Sequence, residues 1–377
     1  MACLVVAGLA AVMFAAAVDA TPNATVDVGA DAAMSATRTK TPAHRIDLAF
    51  VGDIHTLRRV NYSAQLPGGR WDFAPMFAEV APLLQSADTA VCHMEAPIAP
   101  PGTPVIVVPP LLSTAAPMAD ALAGAGFDRC STAGNHIMDR GVAGIDATLR
   151  EFDRVGISQS GAARSAAEAR PEAAIYDVDG VAVAHLSYSW AIGGQSVPAS
   201  QPWRANKLEA WQVIADARAA RAAGAEVVVT SFTWGFDKIV QPTPSQRSIA
   251  AAVTASGEVD LIVGQQAHVL QPIEKVNGVW VIYGMGNFLS DHPVGSFPQS
   301  AGDAAIFVVG VVVRPDGSVR VRPPVAYPTW IDKSRGHVIR PVEQRFDPSL
   351  SGSTRAALQR SLDRTRSVLG SFVFERA

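Results

Sequence analysis

Charge of either sign is scarce in this chain. Charged residues make up 17% of 377, and 31 Lys and Arg face 34 Asp and Glu, for a formal net charge of -3. Nucleic-acid binding draws on a strong basic field, so no nucleic-acid partner is expected. Long apolar runs are also few. Beyond the first twenty residues no segment is long and apolar enough to cross a bilayer. Heptads and internal repeats are absent. Cysteine occurs 3 times and histidine 8 times.

What is abundant is apolar material. A hydrophobic content of 49% is enough to bury a large core, and length alone suggests about two domains. The first stretch, ACLVVAGLAAVMFAAAV, ends in small residues and is short for a membrane span. Residues 1–20 read as a signal peptide or an N-terminal anchor, although no Lys or Arg precedes the run. Membrane contact is expected only through this segment, if it stays uncleaved, and the product is expected to be secreted or associated with the cell envelope. Residues 21–44 are small, polar and aperiodic, and read as a disordered linker.

The apolar run Ile46–Val51 stops at Gly52-Asp53 and reads as a buried strand. FAPMFAEVAPLLQSA predicts a helical stretch, and APIAPPGTPVIVVPP a proline-rich loop. Helices are expected over GIDATLREFDRVG, ANKLEAWQVIADARAARAAGA, PSQRSIAAAVTASG and TRAALQRSLDRTRSVLG. Turns at Asp179-Gly180 and Asp316-Gly317 predict hairpins. Helices and strands alternate early and hairpins accumulate later, which predicts α/β layers with antiparallel strands added.

The polar residues gather at five strand ends: Asp53-Ile54-His55, His93-Met94-Glu95, Gly134-Asn135-His136, Thr233 to Asp237, and Gly264-Gln265-Gln266-Ala267-His268. Four of the 8 histidines sit there. Carboxylate, amide and imidazole together suit Mn, Fe or Zn. A carboxylate such as Glu95 can bridge two ions, and such a pair activates water and clamps a phosphoryl displacement. Each residue alone has a plainer reading: Asp53 as a turn residue, Asn135 as a helix N-cap, Glu95 as a salt-bridged group. His93 reads as a supporting neighbour of Glu95.

The pieces VGDIH, HMEAPIAP, STAGNHIMDRG, TWGFD with PTPSQR, IVGQQAHVLQPIE and VIYGMGNFLSD run in an order that resembles the poly-gamma-glutamate capsule-synthesis family of the CapA type. That family looks like a relative of calcineurin-type metallophosphoesterases. The resemblance implies an α/β fold with a sandwich of two mixed β-sheets flanked by α-helices. It also implies a single domain over 45–348, followed by a C-terminal helix and tail over 349–377. Asp53, Glu95, Asn135, His136 and His268 stand at the family's metal-site positions, and His55 completes an Asp-x-His pair. His136, Asp139 and His55 are the expected catalytic residues. Asn287 matches a late Gly-Asn-Phe motif and is expected at the substrate, as is Arg58 on charge, with Arg59 and Arg140 as further candidates. Two family histidines are replaced, by Thr233 and Gln266, which makes those the expected weakened metal positions.

The expected function is that of an exported cell-envelope protein, a hydrolase or transferase carrying one or two divalent ions. Its partners would be an anionic polymer or a phosphate ester and other envelope components. The competing reading is a degenerate scaffold that keeps the fold without turnover. Cys92 and Cys130 lie on runs expected to be neighbouring strands about 4.8 Å apart. They are expected either to form a disulfide or to pack as two buried thiols.

Overall fold

The computed structural model describes residues 43–292 and 295–374. The expected signal or anchor (1–20), and the linker up to residue 42, lie outside the described residues. None of the described helices is long and apolar enough to cross a membrane.

Side-chain alternation along the strands produces the architecture. In the first strand, His44–Ile54, Leu48 and Phe50 enter one core while Ala49 and Val51 enter another, as a period of two requires. Among the described residues this strand sits inside a nine-stranded mixed sheet. It pairs parallel to Thr89–Met94 and antiparallel to Asp303–Val313. Arg129–Ser131 continues the parallel side. A second, six-stranded mixed sheet has Leu261–Gln265 and Val227–Thr233 as parallel central neighbours.

The two sheets pack face to face. Leu48, Phe50 and Val91 of the first share a core with Val229, Val263 and Ile282 of the second. The outer face of the first sheet, with Ala49, Val51 and Cys92, is covered by Phe77, Leu84 and Leu122 from helical segments. The outer face of the second, with Val228 and Ile262, is covered by helices Ala210–Ala222 and Pro244–Ala255 through Val213, Ala217 and Val253. The result is a helix–sheet–sheet–helix sandwich, as expected. The described residues fall within one compact unit. The C-terminal helix Gly352–Leu369 joins the core between the sheets through Leu358, Leu362 and Leu369.

One helix expected over 73–87 is two short ones, Ala74–Phe77 and Ala81–Leu84. Pro75 and Pro82 sit in their first turns. A proline has no N–H to give to a preceding turn, so each opens a new helix rather than extending the old one. The hairpin at Asp179-Gly180 forms as expected, with φ of 47° and 81° at the two turn residues.

Candidate metal centre

The polar side chains meet where parallel strands end, the usual functional edge of such sheets. Asp53 and His55 come from the end of the first strand, Glu95 from just after Thr89–Met94, and Asn135 and His136 from the loop after Arg129–Ser131. Gln266 and His268 follow Leu261–Gln265 of the other sheet. The site therefore spans both sheets.

Backbone details make the convergence possible. A Cβ on Gly52 would lie 1.9 Å from the Gly286 carbonyl oxygen, so glycine alone lets that backbone approach. The Asp53 N–H then donates to the Gly286 oxygen at 2.9 Å, and Asp53 pairs in register with Asn287. Gln266 and His268 have φ of 91° and 55°, unusual for residues with a Cβ. This bent turn aims the Gln266 N–H at the Asp53 carboxylate, 3.2 and 3.3 Å from its two oxygens. It also places His268 between the two acids, with Nδ1 3.2 Å from Asp53 Oδ2 and Nε2 3.6 Å from Glu95 Oε1. Strained backbone of this kind concentrates at functional sites.

Ligand-type atoms fall into three overlapping groups: Asp53, Glu95 and His268; His55, Glu95 and His136; and His55, His268 and His292. Within each group the atoms lie within 4.8 Å of one another. Glu95 is shared by the first two, as a bridging carboxylate would be. Both Glu95 oxygens, His55 Nε2, His93 Nε2 and Asn135 Oδ1 are buried without a hydrogen-bond partner. Leaving such groups unmatched is costly, and so many in one place mark a site built for a ligand. Carboxylate, imidazole and amide donors at this spacing fit one or two borderline divalent cations.

The electrostatics agree. Burial by itself pushes the His268 imidazole down, but the Glu95 and Asp53 carboxylates overcome it and raise its pKa to about 10. Burial lifts the Glu95 carboxyl to about 7, against the pull of His268. His55 is held well below its ordinary value by burial, then by His268 and His292. Burial and the nearby His268 and Lys333 charges push His292 down to about 2. The two acids thus demand a positive charge, and the surrounding neutral imidazoles leave their lone pairs available to a cation.

His136 is arranged differently. Its Nδ1 lies 2.6 Å from Asp139 Oδ2, and the same oxygen accepts the Leu112 N–H at 2.6 Å. Burial works against protonation of His136, but the Asp139 hydrogen bond and the Glu95 charge prevail and raise its pKa. With Nδ1 committed to Asp139, Nε2 is the ring's remaining polar atom. Asn135 is no helix cap: the next helix begins at Gly141 and follows Arg140, which makes no side-chain cap bond. His93 sits between Ser131 Oγ, 2.7 Å from Nδ1, and Asp53 Oδ1, 3.8 Å from Nε2. It props the first acid.

A cleft of about 810 Å³ opens over this cluster, lined by His55, Asn135, His136, Gln266, His268 and His292, with Val107, Val108 and Pro109 of the proline-rich loop on one wall. Arg58 and Arg59 stand on its lining. Other expectations are corrected. Asn287 is fully buried and does not line the cleft; its Oδ1 pairs with His268 Nδ1 at 2.9 Å and its amide donates to the His268 and Ala301 carbonyls. It orients His268 instead of meeting substrate. Arg140 is tied to Pro104 and Thr103 of the proline-rich loop and to Ser113 just after it. Of the two replaced positions only Gln266 lines the cleft, its amide donating to Asp237; Thr233 donates to the Ala133 carbonyl at 2.7 Å. His292 is a site residue that the strand-end pattern missed. Its only signal was a histidine directly after VIYGMGNFLSD. Cys92 and Cys130 are register partners on adjacent strands, with Cα atoms 4.4 Å apart, and are joined as a disulfide.

A two-sheet sandwich with an acid-and-imidazole cluster at its strand ends is compatible with a metal site. The family described as Bacterial capsule synthesis protein PGA_cap matches residues 47–292, and the chain belongs to that family. It is 29% identical over 252 residues to PGA biosynthesis protein CapA of Bacillus subtilis (strain 168), covering 65% of this chain and 63% of that one. It is 26% identical over 253 residues to Capsule biosynthesis protein CapA of Bacillus anthracis, covering 66% and 60%. The chain thus spans less than two thirds of the length of these curated relatives. Among solved structures it is similar to the calcineurin-like phosphoesterase YfkN of Bacillus subtilis, with a TM-score of 0.46 and 13% identity over 86% of this chain and 99% of that one.

Proposed function

We propose that this protein is an exported, metal-dependent hydrolase or transferase of the cell envelope, acting on an anionic polymer or phosphate ester during capsule or poly-gamma-glutamate production. The observation that carries the reading is Glu95, a buried carboxylate with neither oxygen hydrogen-bonded, shared between two groups of ligand-type side chains. Asp53, His55, Glu95, Asn135, His268 and His292 would hold the metal, with His136 a further donor when it carries no proton at Nε2. When bound, one or two divalent ions supply Lewis-acid polarisation of the substrate and a nucleophile at neutral pH. His136, held by Asp139, serves the proton transfers at Nε2, donating to a leaving oxygen. The apolar wall Val107–Pro109 limits water around the reacting group. Arg58 and Arg59 meet the substrate's charge.

The family match and the names of the relatives support the capsule setting. The first apolar run supports export. The scaffold reading draws on Gln266, whose amide is committed to Asp237 where the resembled family has an imidazole.

The test is elemental analysis of the purified protein together with a phosphodiester assay in added manganese. The reading expects at least one equivalent of Mn, Fe or Zn and turnover that Glu95→Gln abolishes. Bound metal without turnover on any phosphate ester or anionic polymer would favour the scaffold. No metal at all would end the proposal.

A further inference from the structure

A second cavity of about 370 Å³ lies beside the metal cleft, and His292 and Lys333 line both. Trp330, Arg360 and Arg364 line it without lining the metal cleft. Arg364 is already matched, forming two hydrogen bonds to Asp303 at 2.6 and 2.7 Å. Asp332, the acid on this lining, is matched by Arg340 and Ser334. Lys333 is shared with Asp291 at 3.3 Å and the His292 carbonyl at 2.7 Å. Arg360 differs from all of these. It is exposed on helix Gly352–Leu369 and makes no hydrogen bond or ion pair among the described residues. The lining thus carries surplus positive charge at one end and joins the metal cluster at the other. Apart from His292, its residues lie beyond the span matched by the family.

We propose that the second cavity is a subsite for a linear polyanion. The chain would place one charged group at the metal cluster, run past Lys333, and set a later repeat against Arg360. This deepens the proposed function and rests on it for the placement of the first group. The physical reason is additive. A small anion fills only the first cavity. A longer chain gains a second, tethered contact whose effective concentration is set by the repeat spacing. A cation with no protein partner gives up no existing ion pair to make that contact. Singly charged repeats suit the track, since Arg360 presents one unmatched charge and Lys333 one that Asp291 already shares. Carboxylate and phosphodiester chains share that chemistry.

The experiment measures binding, not turnover, so that it stands apart from the metal reading. Wild-type protein and the Arg360→Glu and Arg360→Gln variants are titrated calorimetrically. The ligands are glutamate oligomers of increasing length and, separately, glycerol-phosphate oligomers of matched length. Metal content is measured on the same samples, and metal-free wild type would count against the first reading alone. For wild type, affinity is expected to rise with length in at least one series, and that series identifies the charged group. Arg360→Glu is expected to weaken the longest oligomer about tenfold and Arg360→Gln about threefold, with the shortest nearly unaffected. Length-independent binding in both series, or an equal loss for short and long oligomers in Arg360→Glu, would overturn the subsite.

Discussion

Gln266 shows most clearly how a single side chain sets the character of the centre. It lines the cleft beside Asp53, on a backbone with φ of 91°, and histidine is among the residues that tolerate a positive φ. Gln266→His is therefore expected to fold and to tighten metal binding about tenfold or more, read by competition with a chromogenic chelator. Thr233→His would not match it, because Thr233 is bonded to the Ala133 carbonyl and is not on the cleft lining. The titrating residues make a second prediction, for chelator-stripped protein. Glu95, His136 and His268 have raised pKa values when folded. The native state then holds more protons than the unfolded chain, and stability is lost as pH rises. For Glu95 the window runs from 4.5 to about 7, and for His268 from 6.5 to about 10. His55, His93, His185 and His292 are lowered, and their opposite contribution to the slope fades as pH rises past the unfolded value of 6.5. The melting temperature of stripped protein should therefore fall between pH 7 and 9.5, and added manganese should reverse most of that fall. A flat profile would contradict the charge arrangement around His268. At this scale the sequence was informative wherever a histidine or acid followed an apolar run. It singled out Asn287 but pointed it at substrate, because the contact with His268, nineteen residues away along the chain, is not visible in a local motif.

Among the elements, the paired strands Thr89–Met94 and Arg129–Ser131 lead into Glu95 and the Asn135-His136 loop. The Cys92–Cys130 bridge ties them at a sequence separation of 38. On the chain-entropy account a loop of that size contributes about 4 kcal/mol, less any strain. Cys92→Ala with Cys130→Ala should lower stability in urea by a value of that order, and titration of denatured, unreduced wild type should find neither thiol free. Two titratable thiols from these positions would rule the bridge out. Most strands and the longer helices were legible in advance because their periods of two and 3.6 are strong signals. The break between Ala74–Phe77 and Ala81–Leu84 was not read, although Pro75 and Pro82 were visible. Apolar periodicity continues through both segments and masks the two prolines.

The whole molecule depends on a terminal segment that lies outside the family match. Helix Gly352–Leu369 contributes Leu358, Leu362 and Leu369 to the core between the sheets, and burying such side chains is worth roughly 1.5–3 kcal/mol each. Truncation before Gly352 should therefore remove most of the stability of an ordinary domain. Loss of the cooperative melting transition and binding of a hydrophobic dye would show it, whereas an unchanged melt would contradict the packing described. The sandwich itself could be expected from alternating patterns, but this role of the last helix could not, because nothing local reveals which surface a helix will cover.

Acids and imidazoles from one sheet face His268 from the other across the seam of the sandwich. A cation held there acts as a rivet between two plates. Sliding of one sheet along the other would have to break its coordination, so ligation should slow amide exchange in both central strands together, well away from the cleft. Metal supply would then set how long the folded protein survives proteases, apart from any reaction it performs.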